Sequence, residues 1–240
     1  MPVNVDEITA AELLQLFFDF YTDNLIWSLF LTSTAVHAVV LIASPLQAVF
    51  KWYRRRSSDS DTPLPYICAA IGSGLWLRYS IFIEDTKLIL LQTYAVIMQI
   101  FFLLTLLFYR SKKQQLVKAL LYILLLQMAL YLYIEKLTVD DGRVMTGRFA
   151  SAAQIAGSFV CPFMIYRAVK TKVIDFIPSA LVIFTCIMEL HAIVYSFAID
   201  DFYMLIANTT FCIMDGSLLC MFFIYPTERK NYRKIQEYLL

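Results

Sequence analysis

The chain has 240 residues, of which 60% are hydrophobic and 16% are charged. Water-soluble domains carry about 25% charged and about 45–50% apolar residues, so this composition excludes an ordinary soluble enzyme and a disordered chain. The net charge of +1 creates no global basic field, which excludes a typical nucleic-acid binder. Because a membrane-spanning helix takes about 20 apolar residues, the apolar content provides for about seven spans and leaves no room for a soluble domain.

Seven long apolar runs predict seven membrane-spanning helices. Lipid offers the backbone no hydrogen bonds, and runs of this length favour helices over the strands of a barrel. Along the chain the predicted spans are 25–50, 64–83, 88–109, 115–134, 149–166, 177–199 and 202–225.

Lysine and arginine residues are distributed unequally between the two sides that these spans define. One side holds 15 of them and the other side holds 5. Cytoplasmic loops carry the excess of basic residues, so we expect the amino terminus outside and the carboxyl terminus in the cytoplasm. Residues 1–24 are then an extracellular segment and residues 226–240 a cytoplasmic tail.

Polar and aromatic residues recur at a constant spacing in the two halves of the chain. Four pairs are separated by 116 residues, and two prolines in each half follow nearly the same spacing. The pairs are Tyr79 and Tyr195, Asp85 and Asp201, Gln92 and Asn208, and Gln99 and Asp215. Agreement over four pairs indicates an internal repeat.

A three-helix unit ends on the opposite side of the membrane, so a parallel copy needs one extra crossing. The sequence therefore predicts an all-α membrane protein with seven transmembrane helices. Two parallel three-helix repeats, 25–110 and 138–225, are joined by a spacer helix in 111–137, which gives a 3+1+3 arrangement. Parallel repeats of this kind are a transporter architecture with the substrate held near the midplane.

Several segments resemble the SWEET sugar transporters, whose 3+1+3 architecture consists of two saliva-type repeats. The strongest stretch runs from Val160 to Pro226, where CPFMIYRAVKTKVIDFIP and DDFYMLIANTTF are similar to the proline-flanked basic loop and the asparagine-bearing seventh helix of the family. The first repeat resembles the family through SPLQAVFKWYRRR, LPYICAAIGSGLWLRYS and EDTKLILLQTYA.

The resemblance implies facilitative transport of a mono- or disaccharide by alternating access, without a cofactor. It also implies a homo-oligomer embedded in the lipid bilayer of the plasma membrane, or of the Golgi and other endomembranes. Four prolines are implied as flexible points, because proline removes a backbone donor and lets a helix bend. These hinge prolines are Pro45, Pro65, Pro162 and Pro178.

The resemblance further implies a sugar site lined by an asparagine on the third helix of each repeat and a tryptophan on the second. Asn208 and Trp76 match these positions, and their amide and aromatic groups suit the hydroxyls and the C–H face of a sugar. The sequence departs from the pattern at Gln92, which replaces the first asparagine, and at Ala192, which replaces the second tryptophan. Three further positions are expected at the site, namely Gly72, Met188 and Leu41.

Two acidic residues, Glu189 and Asp215, fall within predicted spans, where ionisable groups are costly. They are candidates for proton coupling, and the alternative is that they pair with donors on neighbouring helices or stay protonated. The sequence shows no catalytic constellation, phosphate-binding loop or metal-ligand cluster, so we expect no enzyme and no metal.

Three other functions are alternatives to facilitative sugar transport. A proton-coupled transporter of another small solute and a transport-inactive interaction protein both stay open. A seven-helix receptor is disfavoured by the repeat and by the short loops.

Overall fold

The computed structural model describes residues 15, 19, 21–174 and 179–225. Pro178, most of the predicted extracellular segment and the predicted tail lie outside the described residues. Within the described part the chain forms helices and connecting turns. In chain order the helices are α1 (Leu25–Ala43), α2 (Leu46–Arg55), α3 (Leu64–Phe82), α4 (Thr86–Phe108), α5 (Lys113–Ile134), α6 (Val139–Ser158), α7 (Val160–Thr171), α8 (Ser179–Ala198) and α9 (Phe202–Ile224).

Two predicted spans each consist of two helices that meet at a break beside a proline. Pro45 lies between α1 and α2, and Pro162 lies in the first turn of α7, directly after the break that ends α6. Proline has no N–H to donate to the preceding turn, which interrupts the helical ladder at these points. Pro65 is placed differently, since it lies in the first turn of α3, where a proline is well tolerated.

The fifth predicted span, 149–166, misses the beginning of its helix, because α6 begins at Val139. The uncharged run that indicates this span begins only after Arg148. The helix itself begins earlier, and its first turn contains Asp140 and Asp141. Acidic residues are favourable there because they interact with the positive end of the helix dipole. The Thr138 side chain caps the same turn by accepting a hydrogen bond from the Asp141 N–H.

Among the described residues, six helical segments are long and apolar enough to cross a membrane. They are Leu25–Arg55, Thr86–Phe108, Lys113–Ile134, Val139–Thr171, Ser179–Ala198 and Phe202–Ile224. The seventh span is α3, whose 19 residues reach about 28 Å, close to the roughly 30 Å of a bilayer core. It is less apolar than the others, and one of its faces, which includes Trp76 and Tyr79, is buried against protein.

The two halves repeat in backbone conformation as well as in sequence. Among the described residues, the non-glycine positions with positive φ form two pairs separated by 116 residues. These are Arg56 (55°) with Lys172 (58°), and Glu84 (54°) with Asp200 (53°). After the second pair, Asp85 caps α4 and Asp201 caps α9 through side-chain hydrogen bonds from first-turn N–H groups. The predicted internal repeat is therefore confirmed.

The halves meet along two helix pairs, with α1 against α8 and α3 against α6. Within the second half, α9 packs on α6, α7 and α8, and the spacer α5 contacts α4 and α6. One hydrophobic cluster includes residues of both halves, among them Leu75, Tyr79, Tyr195 and Ala207. The interface between the two repeats therefore forms the centre of the molecule.

Candidate functional site

A cavity of about 490 Å³ lies between the two repeats. Its walls come from α1, α3 and α4 of the first half and from α6, α8 and α9 of the second half. The volume falls within the range of about 300–1,000 Å³ that is usual for small-molecule sites. Six of the residues predicted from the sequence line it together, namely Trp76, Gln92, Met188, Glu189, Ala192 and Asn208.

Three other predicted residues are not among those that line the cavity. Leu41 lies on α1 beyond the stretch that reaches the cavity wall, and a side-chain carbon built at Gly72 would meet no atom within 4 Å. Asp215 is buried and accepts a hydrogen bond of 3.1 Å from the Cys161 thiol, directly before Pro162. Asp215 therefore contacts the break between α6 and α7.

Asn208 is held in the cavity wall by two hydrogen bonds. Its Oδ1 accepts from Gln154 Nε2 at 2.7 Å, and its Nδ2 donates to Ser196 Oγ at 3.2 Å. The prediction from sequence missed Gln154, which also lines the cavity from α6. The available signal was the residue itself, since Gln154 is the single amide of the predicted span 149–166.

The aromatic wall of the cavity is asymmetric. Trp76 lines the first half and packs edge-on against Tyr79, with ring centroids 5.6 Å apart and planes at 78°. In the second half, Ala192, which is the counterpart of Trp76, lines the cavity together with Met188. The departure from the family pattern at Ala192 thus falls on the cavity wall itself.

Two hydrogen bonds cross between the halves beside the cavity. Tyr79 Oη donates to Asp201 Oδ2 at 2.7 Å, and Tyr195 Oη donates to Asp85 Oδ2. Each bond joins the tyrosine of one repeat to the aspartate of the other. We call these four residues the tyrosine–aspartate latch. The sequence repeat identified its members, but it could not show that they pair crosswise.

Stacked rings fill the contact between α1 and α8. Successive ring centroids lie 5.1, 5.5, 5.3 and 4.3 Å apart. In order along the stack the rings belong to Trp27, Phe30, His191, His37 and Phe184. This contact places aromatic surface from both halves along one side of the molecule.

The loop between α2 and α3 is fixed to the end of α4. Arg110 Nη1 donates to the carbonyl oxygens of Ser58 (2.8 Å) and Asp61 (2.7 Å). Asp59 accepts hydrogen bonds from the Ser111 N–H (3.0 Å) and the Ser111 hydroxyl (2.5 Å). These bonds from Ser111 hold the pKa of the Asp59 carboxyl below its usual range.

Comparison with known proteins agrees with the fold and with the repeat. The family described as "Sugar efflux transporter for intercellular exchange" matches residues 28–114 and 146–230. A solved eukaryotic SWEET transporter superposes with a TM-score of 0.74 at 14% identity, over 80% of this chain and 93% of that chain.

Three curated relatives extend this comparison. Bidirectional sugar transporter SWEET12 of Oryza sativa subsp. japonica is 22% identical over 80% of this chain and 66% of its own length. Bidirectional sugar transporter NEC1 of Petunia hybrida is 26% identical over 87% of this chain and 80% of its own. Sugar transporter SWEET1 of Drosophila pseudoobscura pseudoobscura is 21% identical over 83% of this chain and 90% of its own.

The fold and the central cavity define a membrane protein of the two-repeat transporter class. Because the family match covers both repeats, the chain belongs to the family of sugar efflux transporters. Its members are transporters and not enzymes.

Proposed function

We propose that the protein is a facilitative transporter of a mono- or disaccharide. The observation that carries this proposal is the cavity between the repeats, where the Trp76 ring lies with the hydrogen-bonded amides of Asn208 and Gln154. Amides both donate to and accept from sugar hydroxyls, and an aromatic face suits the C–H surface of a sugar ring. Family membership and the names of the relatives support a sugar as the solute.

Alternating access would use the breaks in α1–α2 and α6–α7. At Pro45 and beside Pro162 the helical ladder is already interrupted, so each half can bend there without losing further backbone hydrogen bonds. Rocking of one repeat against the other would then expose the cavity to each side in turn. Opening at the latch end would break the two crossed tyrosine–aspartate bonds.

The orientation follows from the basic loops. We propose that the amino terminus and the latch lie outside and that the carboxyl terminus lies in the cytoplasm. The proposed location is the plasma membrane or an endomembrane, in a homo-oligomer. An epitope placed at the carboxyl terminus should bind antibody only after the cells are permeabilised, and binding in intact cells would reverse the orientation.

Uptake of labelled sugars tests the function. Cells or vesicles that carry the protein should equilibrate hexose or sucrose, and Asn208→Ala should lower the initial rate by about tenfold or more, since the loss of one buried hydrogen-bonded group costs about 1–3 kcal/mol. Thr210→Ala is the matched control, because this α9 hydroxyl is bonded to its own helix at the Ile206 carbonyl. If the wild type transports no sugar, the proposal fails and the transport-inactive alternative is favoured. Normal uptake by Asn208→Ala would remove the site assignment.

Proton-coupled transport is a second candidate, and the position of Glu189 in the cavity wall favours it. A uniporter should move a neutral hexose at nearly the same rate between about pH 5.5 and about pH 8, because its cycle carries no proton across the membrane. A steep pH dependence that disappears in Glu189→Gln or Asp215→Asn would favour proton coupling.

A further inference from the structure

Glu189 is the acidic residue among the described residues that line the cavity. Its Oε2 atom is buried and has no hydrogen-bond partner within the described part of the chain. The ion pairs of that part, Arg78–Glu135 and Arg110–Asp59, do not involve it. A buried carboxylate oxygen without a partner is unfavourable, so Glu189 requires an explanation.

Helix packing does not supply that explanation. The residue 116 positions earlier is Ser73, whose hydroxyl donates to the Ala69 carbonyl of its own helix at 2.7 Å. The repeat therefore folds with a small, internally bonded residue at this place on α3. An acid at the equivalent place on α8 is not needed for the fold, and an ionisable residue in a span is a candidate functional group.

The groups around Glu189 favour a positive partner. Asp215 and Cys212 on α9 are near enough to interact with it electrostatically, and neither supplies a positive charge. His191 on α8 is already engaged, with Nε2 at 3.2 Å from the Ser33 hydroxyl and Nδ1 at 2.8 Å from the Ile187 carbonyl.

One basic residue, Lys87, is also among the described residues of the cavity wall. It is exposed in the first turn of α4, next to the latch residue Asp85, whose Oδ1 accepts from the Lys87 backbone N–H at 3.0 Å. Glu189 lies about two turns away from the latch residue Tyr195 along α8. Lys87 can therefore remain solvated at the latch end while Glu189 lies deeper in the cavity.

The side chain that follows Glu189 by almost one turn is Ala192, where the first repeat has Trp76. The small side chain leaves space next to the carboxylate, on the same wall that carries the Asn208 amide. The first half thus presents the Trp76 ring and the Gln92 amide, and the second half presents the amides of Asn208 and Gln154, space and an acid.

We propose that the solute of this cavity is an amino sugar, and this inference rests on the proposed sugar transport. The pyranose ring lies against Trp76, its hydroxyls bond to Asn208, Gln154 and Gln92, and its ammonium group pairs with Glu189. A bare inorganic cation would use only the carboxylate, whereas an amino sugar also uses the Trp76 ring and the amides of the wall.

The uptake of three matched sugars tests the inference. Glucosamine at about pH 6.5 is mostly protonated, N-acetylglucosamine has the same ring without the charge, and glucose lacks the nitrogen. Proteoliposomes with the full chain should take up glucosamine about threefold or more faster than either neutral sugar. Glu189→Gln and Glu189→Ser should remove this preference and bring the glucosamine-to-glucose ratio to about one. Glu84→Gln is the matched control, since it removes an exposed carboxylate outside the cavity wall.

The outcomes separate this inference from the function on which it rests. Absence of all sugar uptake would overturn both proposals, whereas glucose uptake without a preference for glucosamine would overturn the inference alone. Glucose uptake whose pH dependence is lost in Glu189→Gln would also overturn it, because the proton would then be the cation that Glu189 meets. If the variants do not fold, thermal stabilisation of the wild type decides. Glucosamine should stabilise it more than N-acetylglucosamine, and equal stabilisation contradicts the inference.

Discussion

The two repeats are alike at the tyrosine–aspartate latch and different at the aromatic position of the cavity wall. Tyr79 and Tyr195 occupy equivalent places, and each donates to the aspartate of the opposite half. On the cavity wall, by contrast, Trp76 has Ala192 as its counterpart. The latch joins two copies of the same unit, so each copy can use the same residues for the contact. A sugar is asymmetric and therefore favours different groups on its two sides. Equivalent residues that are identical in the two repeats thus indicate the contact that closes the cavity. Equivalent residues that differ indicate the solute.

Variants of the latch test this comparison with the largest expected effect. Tyr79 is 1% exposed and Tyr195 is 8% exposed, so the symmetric pairs differ in burial. Tyr79→Phe leaves a buried oxygen of Asp201 without its donor, at a cost of about 1–3 kcal/mol, or about 5- to 150-fold in the closed-to-open equilibrium. Tyr195→Phe should have a smaller effect, since the group that it leaves, Asp85, is less buried.

Labelling from outside measures this difference. A cysteine in place of Ser28, which lines the cavity, should react faster with an impermeant maleimide in Tyr79→Phe than in Tyr195→Phe. Each latch variant with the native Ser28 gives the background from the natural cysteines. Equal labelling of all variants and the parent would show that the latch does not control access.

Two glycines of α6 test the packed contact between the halves through the stability of the protein. Gly147 on α6 stands where the first repeat has Leu31, and a Cβ at Gly147 would lie 2.6 Å from Tyr203 Cδ2 and 2.9 Å from Tyr79 Cε2. Since both rings belong to the packed contact between the halves, Gly147→Ala should lower the free energy of unfolding by about 1–3 kcal/mol. Gly157→Ala on the same helix meets no atom within 4 Å and should be neutral or slightly stabilising.

Thermal unfolding in detergent provides the measurement. The melting temperature of Gly147→Ala should fall clearly below that of Gly157→Ala. Similar values for the two variants would mean that the rings move aside and that the close approach of α6 is not required.

The sequence was sufficient for the repeat, because 116-residue spacing survives in polar residues that cap helices or form the latch. It was insufficient wherever the relative placement of helices decides the outcome. Gln154 reaches Asn208 only because α6 packs on α9, and spacing along the sequence does not show which helices pack together. The position of Leu41 four residues before Pro45 predicts a place at the site, whereas the stretch of α1 that lines the cavity is the earlier one, 28–35.

The smallest expected effect concerns the loop between α2 and α3, a second feature of the first half. Hydrogen bonds from Ser111 lower the pKa of Asp59, so the folded carboxyl holds its charge to a lower pH than in the unfolded chain. Its contribution to stability is therefore complete above about pH 4, the usual range of an aspartate, and is lost as the pH falls further through the lowered value. The difference in melting temperature between the wild type and Asp59→Asn should stay constant from about pH 8 to about pH 5 and shrink only in more acidic buffer. A difference that changes near neutral pH would instead show that another titrating group controls this loop.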